Sequence, residues 1–185
     1  VTHDGMVEDD DGVLWLGTEA GLVRHDADGF LTFTGAEGVP PGGVTDLYVD
    51  SDGHLWFSTE GGGIVRYDGV AFELFTERDG LSHNNAGDKL EDRHGALWIS
   101  TDGGGLSRFD GQAFSRLTTA QGLPSNSVGK IAEDGQGHLW FTTWGSGISR
   151  YDGERIETFT AEDGLIANTT ERLAIRDDGL WIGTT

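Results

Sequence analysis

The segment Asp52-Gly-His-Leu-Trp-Phe-Ser-Thr59 decides the fold, because close variants of it recur along the whole chain. The variants are Gly12-Val-Leu-Trp-Leu-Gly-Thr18, Gly95-Ala-Leu-Trp-Ile-Ser-Thr101, Gly137-His-Leu-Trp-Phe-Thr-Thr143 and Gly179-Leu-Trp-Ile-Gly-Thr184. Their tryptophans, Trp15, Trp56, Trp98, Trp140 and Trp181, are 41, 42, 42 and 41 residues apart. A fixed period of this length indicates structural repeats, and units this small bury a core only by packing on their neighbours.

Each repeat divides into four strand-like segments, which we name a to d. In the second repeat these are 44–49, 55–59, 64–67 and 71–76. Short turns rich in Asp and Gly separate them, with Asp68-Gly69 a typical hairpin turn, and a longer loop leads to the next repeat. The pattern predicts a four-stranded antiparallel meander. Leu55 and Trp56 must face opposite sides of such a sheet, so both sides must be buried.

Repeated sheets with both faces buried are typical of a β-propeller. We therefore predict an all-β fold, a β-propeller of four-stranded antiparallel blades with about four full blades and a C-terminal half-blade. A single propeller, or a segment of one, is predicted over 1–185, with repeats near 1–43, 44–85, 86–127 and 128–169 and a half-repeat at 170–185. The five repeated tryptophans are predicted to form the blade core.

The half-blade has segments a and b but lacks c and d. An unpaired strand edge can pair with another chain. Three outcomes are open: further repeats complete the ring, two chains self-associate, or the last blade stays two-stranded. The chain also begins at Val1 inside a repeat and shows no signal peptide, so we expect a processed or excised piece of a longer protein.

Composition excludes several function classes. The 12 basic and 32 acidic side chains give a net charge of −20, which disfavours nucleic acid and anionic membranes as partners. Disulfide and thiolate chemistry are excluded because the chain has no cysteine. It contains no run of 18 apolar residues, so we predict no membrane contact by this segment. Motifs for a nucleophile or a phosphate-binding loop are missing, and no cofactor is predicted.

The candidate ligand site lies on the propeller face formed by the b–c turns and the d–a loops. Three b–c turns begin with an acid, Glu19, Glu60 or Asp102, whereas the fourth begins with Trp144. An aromatic face can stack on a sugar ring or bind a cation. The alternative is that Trp144 packs against a neighbouring loop.

The d–a loops add His83, Asn84, Asn126 and Asn168 to the candidate ligand residues. Asparagine reads hydroxyl groups well, but it also caps turns by bonding to nearby backbone, and both roles stay open. On the other face, the Asp-x-Asp-Gly turns resemble the start of a calcium loop, but they lack its remaining ligands. We interpret these turns as hairpin chemistry and predict no metal site. Asp46, Asp88 and Lys130 are expected to align in one column of segment a.

The full repeat resembles the two-component regulator propeller family. The pattern is carried by Gly53–Thr59, Gly61–Gly69, Phe72–Thr76 and Asp79–Asn84, and the loop motif returns at Gly122–Asn126 and Asp163–Asn168. The resemblance implies a periplasmic or extracellular β-propeller of a bacterial sensor, in which carbohydrate-derived ligands are sensed. The membrane segment and kinase of such sensors are missing from this chain, so signalling itself is not expected here.

The prediction is thus a non-catalytic ligand-sensing or binding propeller whose partner is a carbohydrate or another small ligand. One alternative is a structural or oligomerising scaffold without a small ligand. A second alternative is an enzyme, because Gly137–Thr142 is similar to repeats of streptogramin-type lyases. No His/Glu/His set could be mapped onto that active site.

Overall fold

Every segment that the repeat pattern predicts as a strand is a strand in the computed structural model, which describes residues 5–176 and 179–184. The outermost parts of the predicted repeats, residues 1–4 and 185, lie outside the described residues. The chain forms two compact units, Val1–Gly87 and Asp88–Thr185.

The first unit contains two four-stranded antiparallel sheets in which consecutive strands are neighbours. Their strands are β1 (Met6–Glu8), β2 (Leu14–Thr18), β3 (Gly21–Asp26) and β4 (Gly29–Phe33), then β5 (Val44–Val49), β6 (Leu55–Thr59), β7 (Gly63–Tyr67) and β8 (Phe72–Phe75).

The second unit contains two further four-stranded sheets and a two-stranded one. Its strands are β9 (Ala86–Glu91), β10 (Leu97–Thr101), β11 (Gly105–Phe109), β12 (Phe114–Leu117), β13 (Val128–Glu133), β14 (Leu139–Thr143), β15 (Gly147–Tyr151), β16 (Ile156–Phe159), β17 (Thr170–Arg176) and β18 (Gly179–Thr184). The boundary between the units falls two residues inside β9.

The most deeply buried strands are β6 in the first unit and β10 in the second, both of which are strand-b segments. Every residue of β6 and of β10 is buried, on both faces of the sheet. The reason is that each sheet packs on a neighbour. In the first unit, Trp15 of one sheet meets Tyr67 of the next with ring centroids 5.6 Å apart. In the second unit, Trp98 meets Tyr151 in the same way at 6.0 Å.

Each tryptophan of a full sheet is also held by its own sheet. Its indole N–H donates to an aspartate six residues earlier: Asp9 for Trp15, Asp50 for Trp56, Asp92 for Trp98 and Asp134 for Trp140, at 2.7–2.9 Å. Arginines of strand c lie over three of the rings at 5.7–5.9 Å: Arg66 on Trp56, Arg108 on Trp98 and Arg150 on Trp140. Strand-d phenylalanines stack on three rings at 5.6–6.0 Å: Phe33 on Trp15, Phe75 on Trp56 and Phe159 on Trp140.

The prediction that Trp181 is a core residue is wrong. Its side chain is 57% exposed, whereas Trp15, Trp56 and Trp98 are at most 6% exposed. The two-stranded sheet of β17 and β18 has no strands c and d among the described residues. The described part of this sheet therefore has no strand-c arginine or strand-d phenylalanine of the kind that covers Trp56 and Trp140.

The d–a loops contain three short 3-10 helices that the repeat pattern did not predict, at Glu77–Asp79, Thr119–Gln121 and Ala161–Asp163. A threonine before each helix forms a capping box with its third residue, and a glycine with left-handed backbone ends it, as Gly80 does at φ 108°. The signal Thr-x-x-Asp or Thr-x-x-Gln was present in the sequence. No helix among the described residues is long and apolar enough to cross a membrane.

Candidate functional site

The candidate residues of the b–c turns follow directly after the last threonine of strand b. Glu19, Glu60, Asp102 and Trp144 are all exposed. In three of these turns the threonine hydroxyl donates to the carbonyl of a glycine at the start of strand c: Thr18 to Gly21 at 2.8 Å, Thr101 to Gly105 at 2.8 Å and Thr143 to Gly147 at 3.3 Å. In the second repeat the Thr59 hydroxyl is buried and has no hydrogen-bond partner among the described residues.

The structure places the b–c turns beside the d–a loops, as the strand order predicts. A glycine N–H at the start of strand c donates to the backbone carbonyl of the loop asparagine in three repeats. The pairs are Gly63 to Asn84, Gly105 to Asn126 and Gly147 to Asn168, at 3.0, 2.7 and 2.9 Å. The two sets of candidate residues therefore share one edge within each sheet.

The three asparagines use their side-chain oxygens to cap the 3-10 helices. Asn84 Oδ1 accepts the N–H of Glu77 at 2.9 Å, Asn126 Oδ1 that of Thr119 at 2.8 Å, and Asn168 Oδ1 that of Ala161 at 2.6 Å. His83 has a local contact as well, because its Nδ1 accepts the Asn85 N–H at 3.1 Å. The cap accounts for the recurrence of these asparagines, and their role in ligand binding stays a prediction.

In the second unit, Ser127 joins the turns of two neighbouring sheets. Its hydroxyl donates to Asp102 Oδ1 at 2.6 Å, and its carbonyl accepts the backbone N–H of Trp144 at 3.1 Å. Asp102 and Trp144 therefore lie on either side of Ser127, and the Trp144 side chain is 64% exposed. Ser127 was not among the predicted site residues, because its connection to both turns depends on how two sheets pack.

The first unit has the same arrangement with two acids. Gly43 stands where Ser127 stands two repeats later, and its carbonyl accepts the N–H of Glu60 at 3.2 Å. A Cβ atom at Gly43 would lie 3.7 Å from Glu19 Cα and 3.8 Å from the Glu60 carboxyl carbon. The two exposed acids therefore flank Gly43, and a side chain there would be in van der Waals contact with both. The edge of the b–c turns thus presents two acids in one unit, and an acid with an indole in the other.

The aspartates of the a–b turns act as turn and tryptophan anchors, as the hairpin interpretation predicts. Asp134 Oδ1 accepts the backbone N–H groups of Gln136 and His138, and its Oδ2 accepts the Trp140 indole N–H at 2.9 Å. Burial alone would raise the pKa of Asp134, but the Trp140 and backbone hydrogen bonds outweigh it and lower that pKa to about 2. Burial opposes the shift in the same way at Asp92, where hydrogen bonds led by the Trp98 indole lower the pKa.

The histidines of two of these turns contact the same aspartates that hold the tryptophans. His54 Nδ1 lies 3.1 Å from Asp50, and His138 Nδ1 lies 3.1 Å from Asp134. Within the residues that the structure describes, no three His, Cys, Asp or Glu side chains form a group that could hold a metal ion.

The predicted column of charges in segment a is an ion pair in the second unit. Lys130 Nζ lies 2.8 Å from Asp88 Oδ1, and the other oxygen of Asp88 accepts the Ile131 N–H at 2.8 Å. Asp88 therefore joins β9 to β13. Asp46 lies in the first unit and has an unusual backbone with φ 47°.

Comparison with known proteins identifies the repeat. Residues 1–20, 38–61 and 122–145 match the family model described as the two component regulator propeller. The matched segments include Glu19, Glu60 and Trp144. No curated protein matches the chain in sequence.

Solved structures of low sequence identity share the fold. The extracellular domain of the hybrid two component system BT3049 from B. thetaiotaomicron is 23% identical with a TM-score of 0.84, over 97% of this chain and 26% of that one. The extracellular domain of the one component system BT4673 from the same organism is 23% identical with a TM-score of 0.81, over 97% of this chain and 28% of that one. Virginiamycin B lyase from Staphylococcus aureus is 19% identical with a TM-score of 0.75, over 96% of this chain and 61% of that one.

This chain therefore spans about a quarter of the length of the two extracellular domains. The likeness confirms the predicted fold class: the four-stranded sheets are propeller blades, and β17 with β18 is a half-blade. Three stretches of the chain, residues 1–20, 38–61 and 122–145, are similar in sequence to two-component regulator propeller repeats.

Proposed function

We propose that this chain is a non-catalytic, ligand-binding propeller module of an extracytoplasmic bacterial sensor. The observation that carries the proposal is the exposed Trp144, held beside Asp102 by Ser127. The Trp144 indole is 64% exposed where the equivalent positions carry acids, and an exposed aromatic face there is available to stack on a ligand. The similar extracellular domains of sensor systems support the location and the sensing role.

A carbohydrate is the ligand class that this edge suits best. The face of an indole stacks on the apolar face of a sugar ring, while carboxylates and hydroxyls bond to sugar hydroxyl groups. Trp144, Asp102 and the hydroxyl of Ser127 supply both kinds of contact side by side. The acids Glu19 and Glu60 extend the same chemistry in the first unit.

The test is a screen of oligosaccharides by thermal shift, followed by calorimetry of the hits with the Trp144→Ala variant. The substitution should weaken binding by about 1–3 kcal/mol, because it removes the stacking surface. Trp181→Ala is the matched control, since Trp181 is similarly exposed but lies within a strand. If both variants bind every hit as the parent does, the proposed site is wrong.

The second candidate function is that of a lyase-like propeller enzyme. The structural likeness to virginiamycin B lyase supports it. A turnover assay on lactone substrates, with and without EDTA, distinguishes it from the binding module. Measurable turnover that depends on a metal would replace the sensor proposal.

We also propose that the half-blade is completed by a strand-c and strand-d hairpin of the same repeat, supplied by further repeats or by a second chain. The exposed Trp181 carries this proposal, because its counterparts are covered by such hairpins. If ligand screens stay blank while light scattering finds a multiple of the chain mass, an oligomerising scaffold becomes the better description.

A further inference from the structure

The arginines of strand c differ from one blade to the next in their ion pairs. Arg24 pairs with Asp26 at 2.7 Å, Arg66 with Glu73 at 2.6 Å, and Arg150 with Glu157 at 2.8 Å. In the third blade the residue opposite Arg108 is Ser115. No carboxylate of the described residues forms an ion pair with Arg108, whose guanidinium lies 5.9 Å from the centre of the Trp98 ring. Arg108 therefore lacks the hydrogen-bonded ion pair that its equivalents form within their own sheet, although its charge helps to lower the pKa of the nearby Asp92 and Asp110.

Arg108 lines a pocket of about 270 Å³ between the third and fourth blades. The pocket opens on the edge of the a–b and c–d turns, opposite the edge that carries Trp144. Its other walls include Asp92, His94, Trp98, Glu133, Tyr151 and Asp152. Pockets for drug-sized ligands start at about 300 Å³, so the occupant must be smaller.

The carboxylates of the pocket differ in how many of their oxygens already accept hydrogen bonds or form ion pairs. Both oxygens of Asp92 accept hydrogen bonds, from the Trp98 indole and from backbone N–H groups. Glu133 pairs with Arg93 at 2.7 Å. Asp152 Oδ1 accepts the N–H groups of Glu154 and Arg155, but within the described chain its Oδ2 has no partner.

Asp152 is charged at neutral pH like an ordinary aspartate, and the backbone hydrogen bonds from Arg155 and Glu154 lower its pKa further. One wall of the pocket thus offers a guanidinium without a hydrogen-bonded carboxylate partner among the described residues, and another offers a carboxylate oxygen that accepts no hydrogen bond from them. A simple anion would be attracted by Arg108 but repelled by Asp152, Asp92 and the charge of −20 on the whole chain. A simple cation would be repelled by Arg108. A molecule with one positive and one negative group, and therefore no net charge, can pair its negative group with Arg108 and its positive group with Asp152.

We propose that this pocket binds a small zwitterion, a free α-amino acid with a short side chain. Its carboxylate is held by Arg108 and its ammonium group by Asp152, with Trp98 and Tyr151 as the remaining walls. The site is distinct from the proposed carbohydrate edge and does not rest on it. The third blade differs from the second and fourth because Ser115 stands where they have a glutamate opposite the arginine. Arg108 can therefore bind the carboxylate of the ligand.

The test uses three probes that differ by one charged group each. L-alanine carries both groups, propionate lacks the ammonium, and ethylamine lacks the carboxylate. Titration is followed by NMR on the indole N–H signal of Trp98, which donates to Asp92 at the pocket wall. L-alanine should bind about ten-fold more tightly than either single-charge probe, because each lost charge-assisted bond costs about that factor. Equal affinity for L-alanine and propionate, or a response to D-glucose alone, overturns the proposal.

Two variants of the full chain locate the site. Ser115→Glu supplies the carboxylate that the second and fourth blades have, so it should occupy Arg108 and weaken L-alanine about ten-fold. Ser115→Gln, of the same size and without charge, should bind as the parent does. If Ser115→Glu binds L-alanine unchanged, Arg108 is not the anchor.

Asp152→Asn is the second variant, because an amide keeps an oxygen for the turn while losing the charge. It should weaken L-alanine about ten-fold and leave propionate no weaker than before. An equal loss for both probes would show a structural effect and contradict the assignment of the ammonium to Asp152. Trp144→Ala should leave L-alanine binding unchanged.

Discussion

At the scale of single residues, the aspartate of each a–b turn connects the turn to the core. Asp134 accepts two backbone N–H groups and one indole N–H, so one carboxylate ties the hairpin to Trp140. Asp134→Asn turns one acceptor into a donor that faces the indole N–H. We expect a loss of about 1–3 kcal/mol in the free energy of unfolding, measured with urea. Gln136→Ala in the same turn keeps every one of these bonds and should stay within about 0.5 kcal/mol of the parent.

The same carboxylate should make stability depend on pH. Its pKa is about 2 in the folded chain, below the usual value of 3.8, so the folded state favours the ionised form. This contribution is fully present above about pH 4 and is lost as the pH falls toward 2; its upper limit is about 2 kcal/mol. The stability difference between the parent and Asp134→Asn should therefore shrink between pH 4 and pH 2. A difference that stays constant over this window would assign the effect to packing alone.

At the scale of elements, the 3-10 helices of the d–a loops depend on their caps. The Thr118 hydroxyl accepts the Ala120 N–H and donates to Gln121, whose side chain also accepts the Thr118 N–H. Thr118→Ala should cost about 1 kcal/mol of unfolding free energy, as loss of an N-cap usually does. The neighbour Thr119 is exposed and hydrogen-bonds through its backbone, with its N–H donating to Asn126 and its carbonyl accepting from Gly122, so Thr119→Ala is the control. Equal stability of the two variants would contradict the capping role.

Substitution of the asparagine next to this helix, Asn126, distinguishes a capping role from a role in ligand binding. Asn126 Oδ1 accepts the Thr119 N–H at 2.8 Å. As a cap, it should lose about 1 kcal/mol of stability on substitution by Ala, while the affinity of any oligosaccharide hit stays unchanged. Thermal melts and calorimetry on the same sample measure both quantities. A loss of affinity at full stability would restore Asn126 as a ligand residue.

The strands could be predicted from the sequence because hydrophobic alternation, Asp-Gly turns and the period of the tryptophans all agree. The capping boxes could also have been found, since Thr76-x-x-Asp79 is a local signal. Contacts between repeats could not be predicted from the sequence. Alignment of the repeats shows that Gly43 and Ser127 are equivalent positions, but not that Ser127 reaches both Asp102 and Trp144. That depends on the packing of adjacent blades. The exposure of Trp181 was missed for the same reason, because the tryptophan motif alone does not show whether strands c and d cover it.

At the scale of the whole molecule, the edge of β18 that has no neighbouring strand among the described residues is where we expect a further strand to pair. In the second and fourth blades, strands c and d cover the tryptophan of strand b with both an arginine and a phenylalanine. A second copy of residues 145–160, fused after Thr185, carries both side chains at the correct spacing. The fused hairpin should pair with β18 and cover Trp181. Burial of an indole and the added strand pairing should raise the unfolding free energy by about 2 kcal/mol or more.

The readouts are the fluorescence of Trp181, the melting temperature and the mass in solution. The emission of Trp181, taken as the difference from the fused Trp181→Ala variant, should shift to shorter wavelength. The matched control is the same fusion with its appended arginine and phenylalanine positions both replaced by Ser, which keeps the length but removes the cover. If the parent chain self-associates through this edge, the fusion should also lower its mass by light scattering toward that of one chain. Identical emission and melting temperature in the fusion and its control would show that a strand hairpin is not what covers this edge.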